Sequence, residues 1–308
     1  MNQPLVSIII PAKNAQGTIE KCILSLLNLD CQDYETIVVN DGSQDKTAEV
    51  LRKYSDRVSV ITNTVSHGPS KARNVAAKEA KGEFLAFTDA DCSVDKDWIN
   101  QLVSGFTDAN IAAVGGRQEI PEDETIFGRK VAKFLEKVGF LTDYMRKNQK
   151  CMVSVNHNPS CNVMYRKNIF SQEGGFLEGL WPGEDIELDY RLKKKKYKIV
   201  FNPKAVVYHY RPENLRLFLN MMFRYGWAQG YLVRRHGLFR KIHFFPAILF
   251  ISLAAYVFVL FFNLTGAVWT AAALFFLLCF YFSFDPQIAF LFLPALFYWH
   301  IGFIKGIF

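Results

Sequence analysis

A handful of acidic positions and one histidine stand where chemistry could be done. The apolar run Phe84–Phe87 stops at Thr88-Asp89-Ala90-Asp91. Alternate residues of an extended chain share a side, so Asp89 and Asp91 can face one cation. Two carboxylates that close repel unless a metal or a proton compensates, and hard oxygen ligands suit Mg²⁺ or Mn²⁺; the same pair could instead form a solvated turn capping the next helix. Asp41 closes another apolar run, where it could accept hydrogen bonds from a nucleobase or ribose, or make a turn with Gly42. Gly68 and Pro69 open a helix whose free N–H groups, with Lys71 and Arg73, could meet a diphosphate. Glu184-Asp185 follows Trp181-Pro182-Gly183 at a helix start. Acids there favour the helix dipole, and a flexible loop that carries a carboxylate to an acceptor is also what a general base needs. His209 ends a further apolar run and gains chemical meaning if it lies near Asp91. Neither a P-loop nor a G-x-G-x-x-G occurs.

These groups need elements to hold them. Apolar, β-branched stretches predict strands at 6–11, ended by Pro11, and at 34–40, 58–63, 111–115, 159–167 and 205–209. Helical spacing predicts helices over 19–27 with Thr18 as cap, over 46–54 capped by Asp45, from 69 to about 81, and over 97–106, 125–145 and 186–195. The helix over 125–145 could lie on the sheet, at a membrane surface, or in both settings. Such alternation implies βαβ units, a mostly parallel sheet, and a ligand crevice at the carboxyl ends of its strands.

Of 308 residues half are hydrophobic, 28 of them Phe, and the excess lies mainly after residue 243. The net charge of +7 is concentrated in 191–198 and 234–241, just before the apolar tail. That placement suits an anionic membrane surface and argues against nucleic acid. Six cysteines without C-x-x-C or zinc-ligand spacing read as reduced cytosolic thiols. The amino terminus lacks signal-peptide features, so the soluble part is expected not to be secreted. A bilayer core takes about 20 apolar residues as helix, which predicts spans at 244–262 and 267–284 and a shorter one at 287–304. Pro294 and His300 leave a re-entrant or peripheral helix open for the last. Arg234, Arg235, Arg240 and Lys241 put the preceding part on the cytoplasmic side of a multi-pass cell-membrane protein. Residues 215–233 read as an interfacial helix, on which Arg224 could hold a phosphate. The expected organisation is an α/β domain at 1–212, an amphipathic and basic linker at 213–242, and a membrane part at 243–308.

Residues 6–11 with Lys13-Asn14, Asp41-Gly42-Ser43-x-Asp45, Gly68-Pro69-Ser70-Lys71-Ala72-Arg73-Asn74, Asp89-Ala90-Asp91, Gly174-Gly175-Phe176 and Gly183-Glu184-Asp185 together resemble the family-2 glycosyltransferases, over about residues 6–235. The resemblance implies a GT-A fold, a Rossmann-like nucleotide-sugar-binding sheet, and transfer with inversion from a UDP- or GDP-sugar. It implies donor contacts at Pro11 and Asp41, with Lys71 and Arg73 facing ribose and phosphates and Asp89 on the ribose or sugar. It further implies Asp91 as the ligand of Mg²⁺ or Mn²⁺, His209 as another metal or phosphate contact, and Asp185 as general base with Glu184 beside it. Processive synthases of the family carry Q-x-x-R-W; the nearest match, Met221-Met222-Phe223-Arg224-Tyr225, lacks both Gln and Trp. With no amino-terminal span expected either, transfer of one sugar to a lipid-linked saccharide follows, and the pattern at 300–306 looks like members that build surface polysaccharides. A polyprenyl-phosphate sugar synthase and an inactive nucleotide-binding membrane scaffold are the alternatives.

Overall fold

A computed structural model describes residues 5–142, 149–262, 266, 268–271 and 286–308. These fall into two compact units, the described residues of Met1–Asp123 with Met145–Tyr210, and those of Glu124–Tyr144 with Arg211–Phe308.

The first unit is built on one sheet. Its strands are β1 (Val6–Ala12), β2 (Tyr34–Asp41), β3 (Ser59–Asn63), β4 (Phe84–Phe87), β5 (Cys92–Val94), β6 (Ile111–Glu119), β7 (Val153–Ser154), β8 (Val163–Arg166) and β9 (Lys198–His209). They run in the order β3-β2-β1-β4-β8-β6-β9-β5, with β7 also on β9. The half from β3 to β4 is parallel, as the βαβ pattern requires. The rest is mixed: β8 is antiparallel to β4 and β6, and β5 is antiparallel to β9. A mostly parallel sheet is therefore only half the architecture.

Burial on both faces explains the apolar strands. Ile8 and Ile10 pack with Cys22, Ile23 and Leu26 of α1 (Ile19–Leu27) and Trp98 of α4 (Trp98–Val103). Ile9 points the other way, to Ala72 and Ala76 of α3 (Pro69–Glu79), Phe170 of α6 (Lys167–Gln172) and Leu188 of α7 (Glu184–Lys194). Each such isoleucine contributes roughly 1.5–3 kcal/mol on burial. Pro11 does not end β1. Pairing with β4 stops at Ile9, whereas Pro11 and Ala12 stay in register with Val39 and Asn40 of β2. A missing N–H on the β4 side therefore costs no ladder bond. Thr18 makes no side-chain cap, while Asp45 accepts from the Thr47 N–H at the start of α2 (Thr47–Arg52), 3.0 Å away.

The second unit is helical. It contains α5 (Ile126–Thr142), α8 (Leu215–His236), a 3₁₀ turn at Lys241–Phe244, α9 (Phe245–Phe262) and a C-terminal helix, Pro286–Ile307. Glu124 accepts from the Arg211 N–H at 2.7 Å, so the two points where the chain enters this unit are tied together. Helix α5 belongs here: Phe127 and Phe134 pack on Phe218 of α8.

Helix α8 and the C-terminal helix meet through glycines. A Cβ at Gly226 or Gly230 would lie 1.8 or 2.0 Å from the carbonyl oxygen of Trp299 or Phe303, and one at Gly302 or Gly306 would lie 2.0 or 2.1 Å from that of Phe223 or Trp227. Each helix thus offers a G-x-x-x-G stripe into which the other's backbone settles. Among the described residues, two stretches are long and apolar enough to cross a membrane, Lys241–Phe258 and Gln287–Ile307. The last helix runs unbroken through Pro294. The span expected at 267–284 lies outside the described residues except at 268–271.

Candidate active site

Strand β4 ends as the Thr88 N–H donates to the Ile9 carbonyl, and the chain turns through Asp89 and Asp91 directly into β5. Antiparallel pairing then sets Cys92 opposite His209, and the Tyr210 N–H donates to the Asp91 carbonyl at 3.1 Å. Asp91 Oδ1 and His209 Nε2 consequently lie 3.5 Å apart. The other ring nitrogen, Nδ1, is 3.1 Å from Oε1 of the buried Gln118 on β6. Because that oxygen can only accept, Nδ1 carries a proton, and Nε2 is the nitrogen turned towards Asp91.

One donor atom each from Asp89, Asp91 and His209 lies within 4.8 Å of the others. Two carboxylates and an imidazole fit Mn²⁺ or Mg²⁺, with water and phosphate oxygens left to complete the shell. The two acids differ in setting. Asp91 has a half-exposed side chain, whereas Asp89 Oδ1 is bound by Arg73 at 2.5 Å. A second donor set, Cys92, Cys161 and His209, shares the same imidazole. Cysteine spacing along the chain concealed it, since β5 and the turn before β8 bring the two sulfurs together only in the fold.

Arg73, expected to face donor phosphates, is held between two acids. It is 1% exposed, with one terminal nitrogen on Asp89 and the other on Glu184 Oε1 at 2.7 Å. The reason is electrostatic: acids from β4 and α7 converge on this side of α3, and a guanidinium fork can bind both. Glu184 also accepts from the Ser160 hydroxyl at 3.0 Å. Burial and the adjacent Asp185 charge push its carboxyl up to about 8, against the pull of Arg73.

Asp185 lies in the first turn of α7, behind Gly183 and Glu184, and is 6% exposed. Its Oδ2 accepts from the Ser160 N–H and its Oδ1 from the Ile186 N–H, both at 2.8 Å, which fixes the carboxylate plane. Oδ2 also lies 4.0 Å from Nε2 of buried His157. His157 Nδ1 in turn is 3.1 Å from Asp189 Oδ2, one turn further along α7. Neither His157 nor Asp189 was singled out from sequence. The available signal was Asp189 four residues after Asp185, which places both on one face of a helix.

The loop before α7 is held by Asn74. Its side-chain nitrogen donates to the Phe176 carbonyl and its oxygen accepts from the Phe176 N–H, at 2.8 and 2.9 Å. Asp41 is engaged within the protein: it accepts from Asn63, the Ser66 hydroxyl and the N–H groups of His67 and Gly68 at 2.7–3.0 Å. Those bonds hold its carboxyl below the usual range despite burial, and tie down the turn that leads into α3. Gly42, at φ +67°, lets the turn come so near that a Cβ would lie 2.6 Å from the Ser66 nitrogen. Pro11 and Lys71 are partly exposed in the first unit, while Arg224 is exposed on α8 in the second.

The family model for glycosyl transferase family 2 matches residues 7–174. Among curated proteins, the chain is 29% identical over 203 residues to glycosyltransferase AglE of Haloferax volcanii, covering 64% of each. It is 24% identical over 229 residues to a poly-beta-1,6-N-acetyl-D-glucosamine synthase of Staphylococcus epidermidis, covering 73% of this chain and 54% of that one. The matches thus span about half to two thirds of these relatives. Among solved structures, a mannosyltransferase from Pyrobaculum calidifontis in complex with GDP-Man and Mn²⁺ superposes with a TM-score of 0.71 at 17% identity, over 100% of this chain and 88% of that one. S. aureus TarS in complex with UDP-GlcNAc gives 0.53 at 20% identity, over 74% and 66%. These likenesses establish the GT-A fold. Since the family match runs from β1 past the acid pair to the Asn74-held loop, the chain belongs to glycosyl transferase family 2.

Proposed function

We propose that the protein is an inverting, metal-dependent glycosyltransferase that moves one sugar from a nucleotide sugar to a lipid-linked saccharide at the cytoplasmic face of the cell membrane. The observation that carries this reading is the apposition of Asp91 and His209, linked through Asp89, Arg73 and Glu184 to the neighbourhood of Asp185. Asp91 and His209 would hold Mn²⁺ or Mg²⁺, with Asp89 on the donor ribose or sugar. The ion supplies positive charge against the departing diphosphate. Asp185, held by two backbone N–H groups, takes the proton of the acceptor hydroxyl as that oxygen attacks the anomeric carbon from the face opposite the diphosphate. Pro11 and Lys71 border the donor. Asp41 acts by holding the turn at the start of α3, and any contact with the base exchanges one of its present bonds.

The GDP-Man and UDP-GlcNAc complexes of the fold relatives support a nucleotide-sugar donor. The apolar helices of the second unit, with the basic residues before α9, support membrane attachment and a lipid-linked acceptor; Arg224 is the proposed phosphate contact. A panel of UDP- and GDP-sugars with Mn²⁺, read first by thermal stabilisation and then by transfer to lipid-linked acceptors, tests the reading. Asp185→Asn is expected to abolish transfer while donor stabilisation persists; unchanged transfer refutes the base. Transfer to simple polyprenyl phosphate that survives Asp185→Asn would favour the polyprenyl-phosphate synthase, whose acceptor is already anionic.

A further inference from the structure

We propose that His157 is a proton-holding partner of Asp185: it receives at Nε2 the proton that Asp185 removes from the acceptor, while Asp189 holds its Nδ1. The inference rests on Asp185 being the general base.

The geometry is directional. Asp189 Oδ2 lies 3.1 Å from His157 Nδ1, so a neutral ring that donates to it carries its one proton there and leaves Nε2 bare. Asp189 is itself fully buried and anchored by the Tyr165 hydroxyl and the Asn158 N–H, each at 3.0 Å. Nε2 is buried without a hydrogen-bond partner, and faces Asp185 Oδ2 across 4.0 Å. A buried acceptor without a donor is costly, of the order of 1–3 kcal/mol. With Asp185 ionised, two lone pairs face each other and the gap stays open. Once Asp185 is protonated, its O–H becomes the missing donor, and a closure of about 1 Å gives a normal hydrogen bond.

The proton balance is simple. The acceptor O–H bond breaks as its oxygen forms the bond to the anomeric carbon, and the bond to the diphosphate breaks with its electron pair leaving on the nucleotide. The proton passes to Asp185 Oδ2 and from there to Nε2, giving an imidazolium between Asp185 and Asp189. Asp185 returns to carboxylate while product still covers the site. The other charges facing this group are Glu184, paired with Arg73, and on the outer side of α7 Lys193, whose ammonium binds Asn156 at 2.7 Å. Neither reaches Nε2.

His157→Asn in the full-length protein keeps a donor to Asp189 but removes the Nε2 acceptor. We expect a fall in kcat of about 10- to 100-fold, at or below the lower end of general acid–base effects, with donor KM unchanged. The lower limb of the pH profile of kcat should flatten, which loss of a packing residue would not produce. If Asp185→Asn abolishes transfer while His157→Asn leaves both kcat and its pH profile intact, the proton-holding role falls and the base stands. If Asp185→Asn is fully active, both fall. Asp189→Asn, which keeps shape but not charge, gives an independent variant should His157→Asn not fold. Nitrogen NMR of the wild-type ring decides the tautomer without any substitution: Nδ1 protonated and Nε2 bare is expected, and the reverse overturns the proposal.

Discussion

At the scale of single residues, two sets of ligands compete for one imidazole. Asp91 with His209 is a hard set, and Cys92 with Cys161 and His209 a softer one. If the hard set serves the donor, Asp91→Ala should remove most Mn²⁺-dependent donor stabilisation while Cys161→Ser leaves it within about twofold. Binding titrations with and without Mn²⁺ check this, and the opposite pattern would transfer the site to the thiols. Glu184 makes a different prediction. Its carboxyl rises from 4.5 unfolded to about 8 folded, so the folded state holds that proton more tightly. The associated stability is complete below about pH 4.5 and is lost as pH climbs to about 8. Melting curves should therefore show wild type losing stability relative to Glu184→Gln across that window, and parallel curves would show Glu184 to be ionised throughout. The acids at strand ends were legible in sequence because each closes an apolar run, and Glu184-Asp185 because they open a helix after Trp181-Pro182-Gly183. Their partners were not: Arg73 reaches Glu184 and His157 reaches Asp189 only after distant segments fold together.

At the scale of elements, the parallel half of the sheet could be read from hydrophobic runs and turn residues, and its helices from their spacing. In the mixed half the runs behind β6, β8 and β9 were legible as strands, but their directions were not. Strand β5 has three residues, too few for any periodicity, yet its antiparallel pairing with β9 is what sets His209 beside Asp91. Helix α5 was legible as an amphipathic helix, but its partner was not. An apolar stripe states that something covers it, and Phe218 of α8 supplies the cover.

At the scale of the whole molecule, the sequence divides by composition near residue 243, while compactness divides it elsewhere, gathering the described residues of 124–144 with those of 211–308. The reason is that α5 and α8 use aromatic faces on one another. Joining α8 to the last helix are four glycines at four-residue spacing. Gly226→Val or Gly302→Val would force backbones apart where a Cβ has about 2 Å of room. Overpacking of this kind costs about 1–3 kcal/mol, so limited proteolysis should cut the C-terminal helix faster in either variant than in wild type.

The glycine seam also bears on how the protein tolerates its surroundings. Association driven by expulsion of water fades when lipid replaces water, because acyl chains solvate leucine as well as another protein does. Backbone laid against backbone gains from close packing, and weak Cα–H to carbonyl contacts add a term nearly independent of the solvent outside. The pair formed by α8 and the last helix should therefore keep its register in bilayer, micelle or buffer alike, and the choice of detergent for purification should affect this joint less than any other part of the apolar tail.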